Sequence, residues 1–318
     1  MKQRKLERIE TNGITLEVVV EGEGPLVILL HGWPQCWYLW RHQIDPIVAA
    51  GFTVAVPNQR GYGGSTAPME PEEYRIREIA ADVVGLSEKL GYDEFTLIGH
   101  DWGCIAAWNT ALLYDEVCTA IMGLSVPFWR LGEDFINPKP RDGFWYARLF
   151  QTRGLAEVDL EEDIRGSLLG IYHSLGAQAS HGAFLRQIDK PANASFREVF
   201  PAPDTLPYWL TDEDLDLYVG EFTKSGFHGP NSWYAAIPAN VELNKELADK
   251  RFRRPAAFVA GKQDVALMFD TEWRSSFEPW FDDLRFIEII EDAGHWVQME
   301  QPDKTTTAIL KFLKDVHS

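Results

Sequence analysis

The segment Phe95-Thr-Leu-Ile-Gly-His-Asp-Trp-Gly-Cys104 constrains this chain more than any other, because an apolar run ends in Gly99-x-Asp101-x-Gly103 and a helix-like stretch follows at once. A strand that turns this tightly into a helix leaves no room for side chains two positions either side of its apex. Glycines therefore flank a residue whose functional group is pushed into the open, the arrangement of a nucleophile elbow. The apex here is aspartate. A serine at that position needs a base to remove its proton, whereas a carboxylate with a reference pKa of about 3.9 is already ionised at neutral pH. Attack by a carboxylate on a carboxylic ester gives a labile anhydride, while backside attack on a saturated carbon gives a stable alkyl ester. The favoured electrophiles are epoxides and alkyl halides.

Period and punctuation organise the rest. Ile14-Thr-Leu-Glu-Val18 alternates after the turn signal Asn12-Gly13, which predicts an antiparallel hairpin at a sheet edge. Segments 25–30, 52–56, 95–98 and 119–124 are near-continuous apolar runs, the mark of parallel strands buried on both faces. Between them Ile76, Ile79, Ala80, Val83 and Leu90 recur at helical spacing after an acidic start near Glu72, and Ile105 to Leu113 continues the elbow as a helix. The expected fold is α/β, a mostly parallel doubly wound sheet with its ligand crevice at the carboxyl ends of the strands.

After Phe128 the alternation stops, and for about the next 110 residues there is no buried-strand run, which predicts an insertion. Thr211-x-x-Asp214 resembles a capping box, with Leu215, Tyr218, Val219 and Phe222 on one apolar face. Strands resume at 255–260 and 284–290, and a last helix is expected from about Pro302. The expected division is a discontinuous core of residues 1–128 and 251–318, with a helical cap over 129–250.

The 318 residues are enough for a sizeable core. Lysine and arginine number 30 against 48 acids, a net charge of −18, and no basic cluster interrupts the surplus. Nucleic acid and anionic membrane are poor partners for such a surface. The apolar runs are too short for a spanning helix and the charged start is unlike a signal peptide, so a cytoplasmic enzyme is expected. Cys36, Cys104 and Cys118 form no pair at metal-ligand spacing and are expected to be reduced, packed thiols. No metal or organic cofactor is expected.

Two loops complete a constellation. Gly261-Lys-Gln-Asp264 places an acid just beyond one resumed strand, and Asp292-Ala-Gly-His295 places a histidine just beyond the next. With Asp101, all three groups fall at the same edge of the sheet in the order nucleophile, acid, histidine. Asp264 alone reads as a turn former and His295 alone as a loop histidine. Three loops supplying the correct types in order outweigh those readings.

His31-Gly-Trp-Pro34, Trp37-Tyr-Leu-Trp-Arg41, Arg60-Gly-Tyr-Gly63, Gly99-His-Asp-Trp-Gly103 and Gly294-His-Trp296 together resemble the α/β-hydrolase-fold epoxide hydrolases of the soluble type, over nearly the whole chain. The resemblance implies conversion of an apolar epoxide to a vicinal diol through a covalent ester on Asp101, which water activated by His295 and Asp264 then hydrolyses. It implies an oxyanion hole from the backbone N–H groups of Trp33 and Trp102, with His31 and His100 as packed supports. It also implies two cap tyrosines that donate to the opening oxide, matched here by Tyr146 and Tyr234. Asn58 stands where the family has aspartate. The aromatic residues expected around the substrate are Phe128, Phe150, Phe227 and Trp296. The partners expected are a small-molecule epoxide and water, with no nucleic acid and no membrane insertion; a homodimer is allowed.

Two other functions share the motifs. A haloalkane dehalogenase uses the same elbow, and the Trp102 indole with that of Trp33 or a cap tryptophan would have to hold the departing halide. A hydrolase-fold receptor would bind a small ligand without turnover, which an intact nucleophile, acid and base argue against.

Overall fold

The computed structural model describes residues 3–130, 132–137, 143–268 and 270–318. At its centre is an 8-stranded sheet in the order β1-β2-β4-β3-β5-β6-β7-β8. Strands β1 (Glu7–Thr11) and β2 (Ile14–Glu21) form the expected edge hairpin. Asn12 and Gly13 have φ of 42° and 75°, the two positive values that a tight type I′ connection needs. β2 runs antiparallel to β4 (Thr53–Asn58). Parallel pairing then carries through β3 (Leu26–Leu30), β4, β5 (Phe95–His100), β6 (Cys118–Leu124), β7 (Ala256–Gly261) and β8 (Leu284–Ile290). Every residue of β3, β4, β5 and β7 is buried. Helices Ile76–Lys89 and Trp102–Leu113 pack together against the sheet, as do Ile44–Ala49 and Pro302–Val316, so apolar side chains are covered whichever way they point.

One boundary differs from expectation. The acidic stretch near Glu72 lies in a separate 3-10 turn, Pro71–Tyr74, and the helix begins only at Ile76. Arg75 is extended, and the Ile76 N–H donates to Asn240 Oδ1 at 3.0 Å, so the helix start is capped by a residue far along the chain.

Between β6 and β7 the described residues form helices, among them Tyr146–Leu149, Leu155–Glu162, Ile164–Leu175, Ser180–Asp189, Asp212–Ser225 and His228–Ala235. Thr211 and Asp214 make the reciprocal capping bonds at 3.1 and 3.0 Å, and Leu215, Tyr218 and Phe222 are buried while Val219 is half-buried. Asp214 also accepts from Tyr38 Oη at 2.8 Å and pairs with Arg41 at 3.3 Å, and Tyr172 Oη donates to the Pro34 carbonyl at 2.7 Å. These bonds seat the helices on the chain that leaves β3. With both partners of the Arg41–Asp214 pair buried, removing either one strands a charge and costs about 3–5 kcal/mol. Asn58 donates to Glu221 Oε2 at 2.7 Å and accepts from the Trp37 N–H at 3.0 Å, a combination that aspartate could not make. Among the described residues no helix is long and apolar enough to cross a membrane.

Candidate active site

Asp101 sits between β5 and helix Trp102–Leu113 with φ 55° and ψ −121°, a strained position for a residue with a side chain. The flanking glycines are sterically required: a Cβ at Gly99 would run into the Gly103 carbonyl, and a Cβ at Gly103 into the carbonyls of Leu30 and His31. The carboxylate does not cap its helix. Its Oδ1 instead accepts the Trp33 N–H at 2.7 Å, from the loop after β3, and the Trp102 N–H bonds the same carboxylate. Burial works against the ionised form, but His295 first, and then His100 and the Trp102 N–H, outweigh it and hold the carboxyl below its usual range.

His295, beyond β8, has its Nε2 3.5 Å from Asp101 Oδ2 and its Nδ1 3.0 Å from Asp264 Oδ1, beyond β7. Asp264 is fully buried, and its Oδ1 also accepts the Ala266 N–H at 2.9 Å. Burial alone would lower the imidazole pKa, yet Asp264 and Asp101 reverse that and push it up to about 10. With Asp101 ionised, His295 is therefore an imidazolium at neutral pH.

His31 and His100 are both buried and both held near pKa 4 by desolvation, hence neutral. His31 Nε2 accepts the Gln59 N–H at 3.1 Å, so its Nδ1 carries the proton and donates to the Gly32 carbonyl at 3.0 Å, beneath the turn that presents Trp33. His100 Nε2 donates to the His295 carbonyl at 2.7 Å, and Ser125 Oγ donates to the same oxygen at 2.9 Å.

Glu300, absent from the expected site, also acts on the histidine loop. Its Oε1 accepts the N–H groups of Gly294 and Trp296, on either side of His295, at 3.0 and 3.1 Å, while its Oε2 accepts the Ala177 N–H at 2.8 Å. One buried carboxylate thus ties the histidine loop to the chain beyond helix Ile164–Leu175, and the His295 N–H reinforces this by donating to the Leu175 carbonyl at 3.0 Å. Burial dominates its ionisation and raises its pKa to about 7 despite the three donors. The only clue in the sequence is an acid one helical turn after Trp296, where a side chain can fold back on first-turn N–H groups.

A cavity with about 750 Å³ of unfilled space, part of it open to solvent, lies over Asp101 and His295. Tyr146 and Tyr234 both line it, with ring centroids 5.6 Å apart and planes at 89°. Burial first, and then the charge of Asp101, raise the Tyr234 hydroxyl well above its ordinary pKa of 10.0, so it remains a donor. Trp33 and Trp102 line the floor, and the apolar walls include Trp129, Phe135, Ile171, Leu175, Phe196 and Phe200.

The four aromatics expected at the substrate are elsewhere. Phe128 packs against Phe252 and Trp280 at 5.0 and 5.1 Å, leaving its neighbour Trp129 to face the cavity. Phe227 stacks on Phe222 at 4.7 Å. Trp296 packs on Tyr172 and donates its indole N–H to the Tyr172 carbonyl at 2.8 Å. Phe150 backs the wall rather than lining it, stacked on Phe196 at 5.4 Å and 14°. In each case the ring meets another aromatic in the core, a partner that the linear sequence does not reveal.

A sheet of this order, an aspartate elbow after β5 and an acid and histidine after the last two strands define an α/β hydrolase, and residues 25–302 match the family model described as alpha/beta hydrolase fold. The chain belongs to that family, and within it to the epoxide hydrolases. Epoxide hydrolase A of Mycobacterium tuberculosis is 37% identical over 311 residues, 96% of each chain. Epoxide hydrolase B of the same organism is 33% identical over 326 residues, 92% of each. The solved structure of an epoxide hydrolase from an endophytic Streptomyces superposes with a TM-score of 0.92 at 34% identity, covering 100% of this chain and 97% of that one.

Proposed function

We propose that the chain hydrates an apolar epoxide to a vicinal diol through an ester on Asp101. The observation that carries this reading is the polarity of the carboxylate: Oδ1 is held by the Trp33 N–H, while Oδ2 faces His295 at 3.5 Å beneath a cavity lined by two tyrosines. Oδ2 attacks an epoxide carbon from behind, and the carbon–oxygen bond of the ring breaks. Tyr146 and Tyr234 donate to the oxide as its charge develops. The proton that completes the new hydroxyl comes ultimately from the His295 imidazolium, which leaves a neutral imidazole beside a neutral ester. Nε2 then takes a proton from water, and the hydroxide adds to Cγ. The charge that forms on Oδ1 meets the N–H groups of Trp33 and Trp102. Collapse expels the diol oxygen, which takes the remaining proton of that water, and restores the Asp101 carboxylate and the His295 imidazolium. Asp264 holds Nδ1 and balances the imidazolium charge.

Residues 129–250 act as a cap in this reading, because they supply both tyrosines and most of the apolar wall. The dehalogenase alternative is weakened by the Trp33 indole, whose N–H donates to Asn231 Oδ1 at 3.1 Å and is committed away from a halide. The test is a panel pairing a styrene-type epoxide with a bromoalkane, followed by a single turnover in heavy-oxygen water. Turnover of the epoxide, with light oxygen at the attacked carbon and label on Asp101, is expected. Bromide release without epoxide turnover, or a first-turnover diol fully labelled at that carbon, would overturn the proposal.

A further inference from the structure

Gln187, on helix Ser180–Asp189, breaks the apolar lining of the cavity. The residue is 1% exposed, and its Oε1 has no hydrogen-bond partner among the described residues. An unpaired amide oxygen in the interior is a standing penalty, since folding removes its water and returns nothing. A leucine or methionine of similar size would fill the same space without that penalty. The catalytic sequence above makes no use of the group. A polar side chain in this position is accounted for if a ligand completes its hydrogen bonding.

We infer that Gln187 is a specificity-determining residue that recognises a hydroxyl carried by the substrate away from the epoxide ring. The inference rests on the epoxide hydrolase reading of the site. A primary amide offers an acceptor at one end and donors at the other, and a hydroxyl, which both donates and accepts, fits either end. A carboxylate fits poorly: among the described lining residues there is no lysine or arginine to receive it, and Asp101 would repel it. The surrounding wall, with Trp129, Ile171, Leu175 and Phe200, suits an unbranched or aryl hydrocarbon spacer between ring and hydroxyl. The substrate class is therefore an amphiphilic epoxide whose far end bears an alcohol.

The test uses terminal epoxyalkanes of increasing chain length, each as a pair in which the far end is either a hydroxymethyl or an ethyl group. The wild-type enzyme, Gln187→Leu and Gln187→Met are compared by kcat/KM. At the chain length that reaches Gln187, the ratio of hydroxyl to hydrocarbon substrate should fall about tenfold in both variants, the scale of one neutral hydrogen bond lost. The hydrocarbon substrates should be turned over at least as well as by wild type, and both variants should melt no lower. A ratio unchanged by substitution at every length would overturn the inference while leaving epoxide hydrolysis intact. So would unfolding of both variants, which would make the amide a structural group. Failure of the wild type on every epoxide would instead refute the activity itself, and the inference with it.

Discussion

Replacing Asp101 by asparagine should turn His295 from an acid into a base. The ester intermediate and the Asp101→Asn side chain share one electrostatic property, the loss of the negative charge 3.5 Å from His295 Nε2. At an effective dielectric constant of about 20, a pair of unit charges at that separation interacts by about 5 kcal/mol. One pH unit corresponds to about 1.4 kcal/mol, so the imidazolium should lose its proton roughly three and a half pH units lower once that charge is gone. Starting from about 10 in the resting enzyme, the midpoint then falls close to neutrality, with Asp264 still supporting the ring. A general base works best with its pKa near the working pH, so in the proposed mechanism alkylation of Asp101 itself arms the second half-reaction. The measurement is a nitrogen-detected NMR titration of labelled histidine in wild type and in Asp101→Asn, with His295 assigned through a His295→Gln control. A midpoint that moves by less than one pH unit would show that Asp264, not Asp101, keeps the ring charged, and the proton sequence drawn above would fail.

Other outcomes follow from the same geometry. His295→Gln mixed with substrate should gain the mass of one epoxide on the peptide bearing Asp101, the oxide then drawing its proton from solvent by way of the cap tyrosines, while Asp101→Ala gains nothing; intact-mass and peptide mass spectrometry read this directly. Tyr234→Phe and Tyr146→Phe should each slow ring opening by roughly ten- to a thousandfold, with the double change worse and binding less affected, and an unaltered alkylation rate in either would assign that tyrosine to packing. Glu300 is a carboxyl raised from 4.5 to about 7. The fold therefore favours its protonated form, and the associated stability, present below pH 4.5, is lost as pH rises towards 7. Relative to Glu300→Gln, which does not titrate, the wild type should lose about 3 kcal/mol across that window. Urea unfolding at several pH values measures the difference, and a flat profile would refute it. Exhaustive chelation should leave turnover unchanged, since every step drawn uses protein groups and water.

The sequence by itself determined the sheet, the elbow and the order of the three loops at its carboxyl edge, because each is written in local chemistry. Strands buried on both faces must be continuously apolar, Asn12-Gly13 supplies the two positive φ values of its turn, and the elbow excludes any Cβ at Gly99 and Gly103. The amphipathic helix capped by Thr211 was legible for the same reason. Tertiary structure alone decided which aromatic rings face the cavity. With 13% aromatic residues in the chain, Phe128 and Trp129 are equally apolar in sequence, and only the packing of Phe252 and Trp280 turns one inward and leaves the other at the site. The start of helix Ile76–Lys89, set by Asn240, and the bond by which Glu300 ties its own loop to the distant Ala177 N–H were hidden likewise. Hydrogen bonds between residues far apart in the chain leave no period and no spacing to read. The charge on His295 belongs with them, since it comes from two carboxylates that meet it only when the sheet sets the ends of β5, β7 and β8 along one edge.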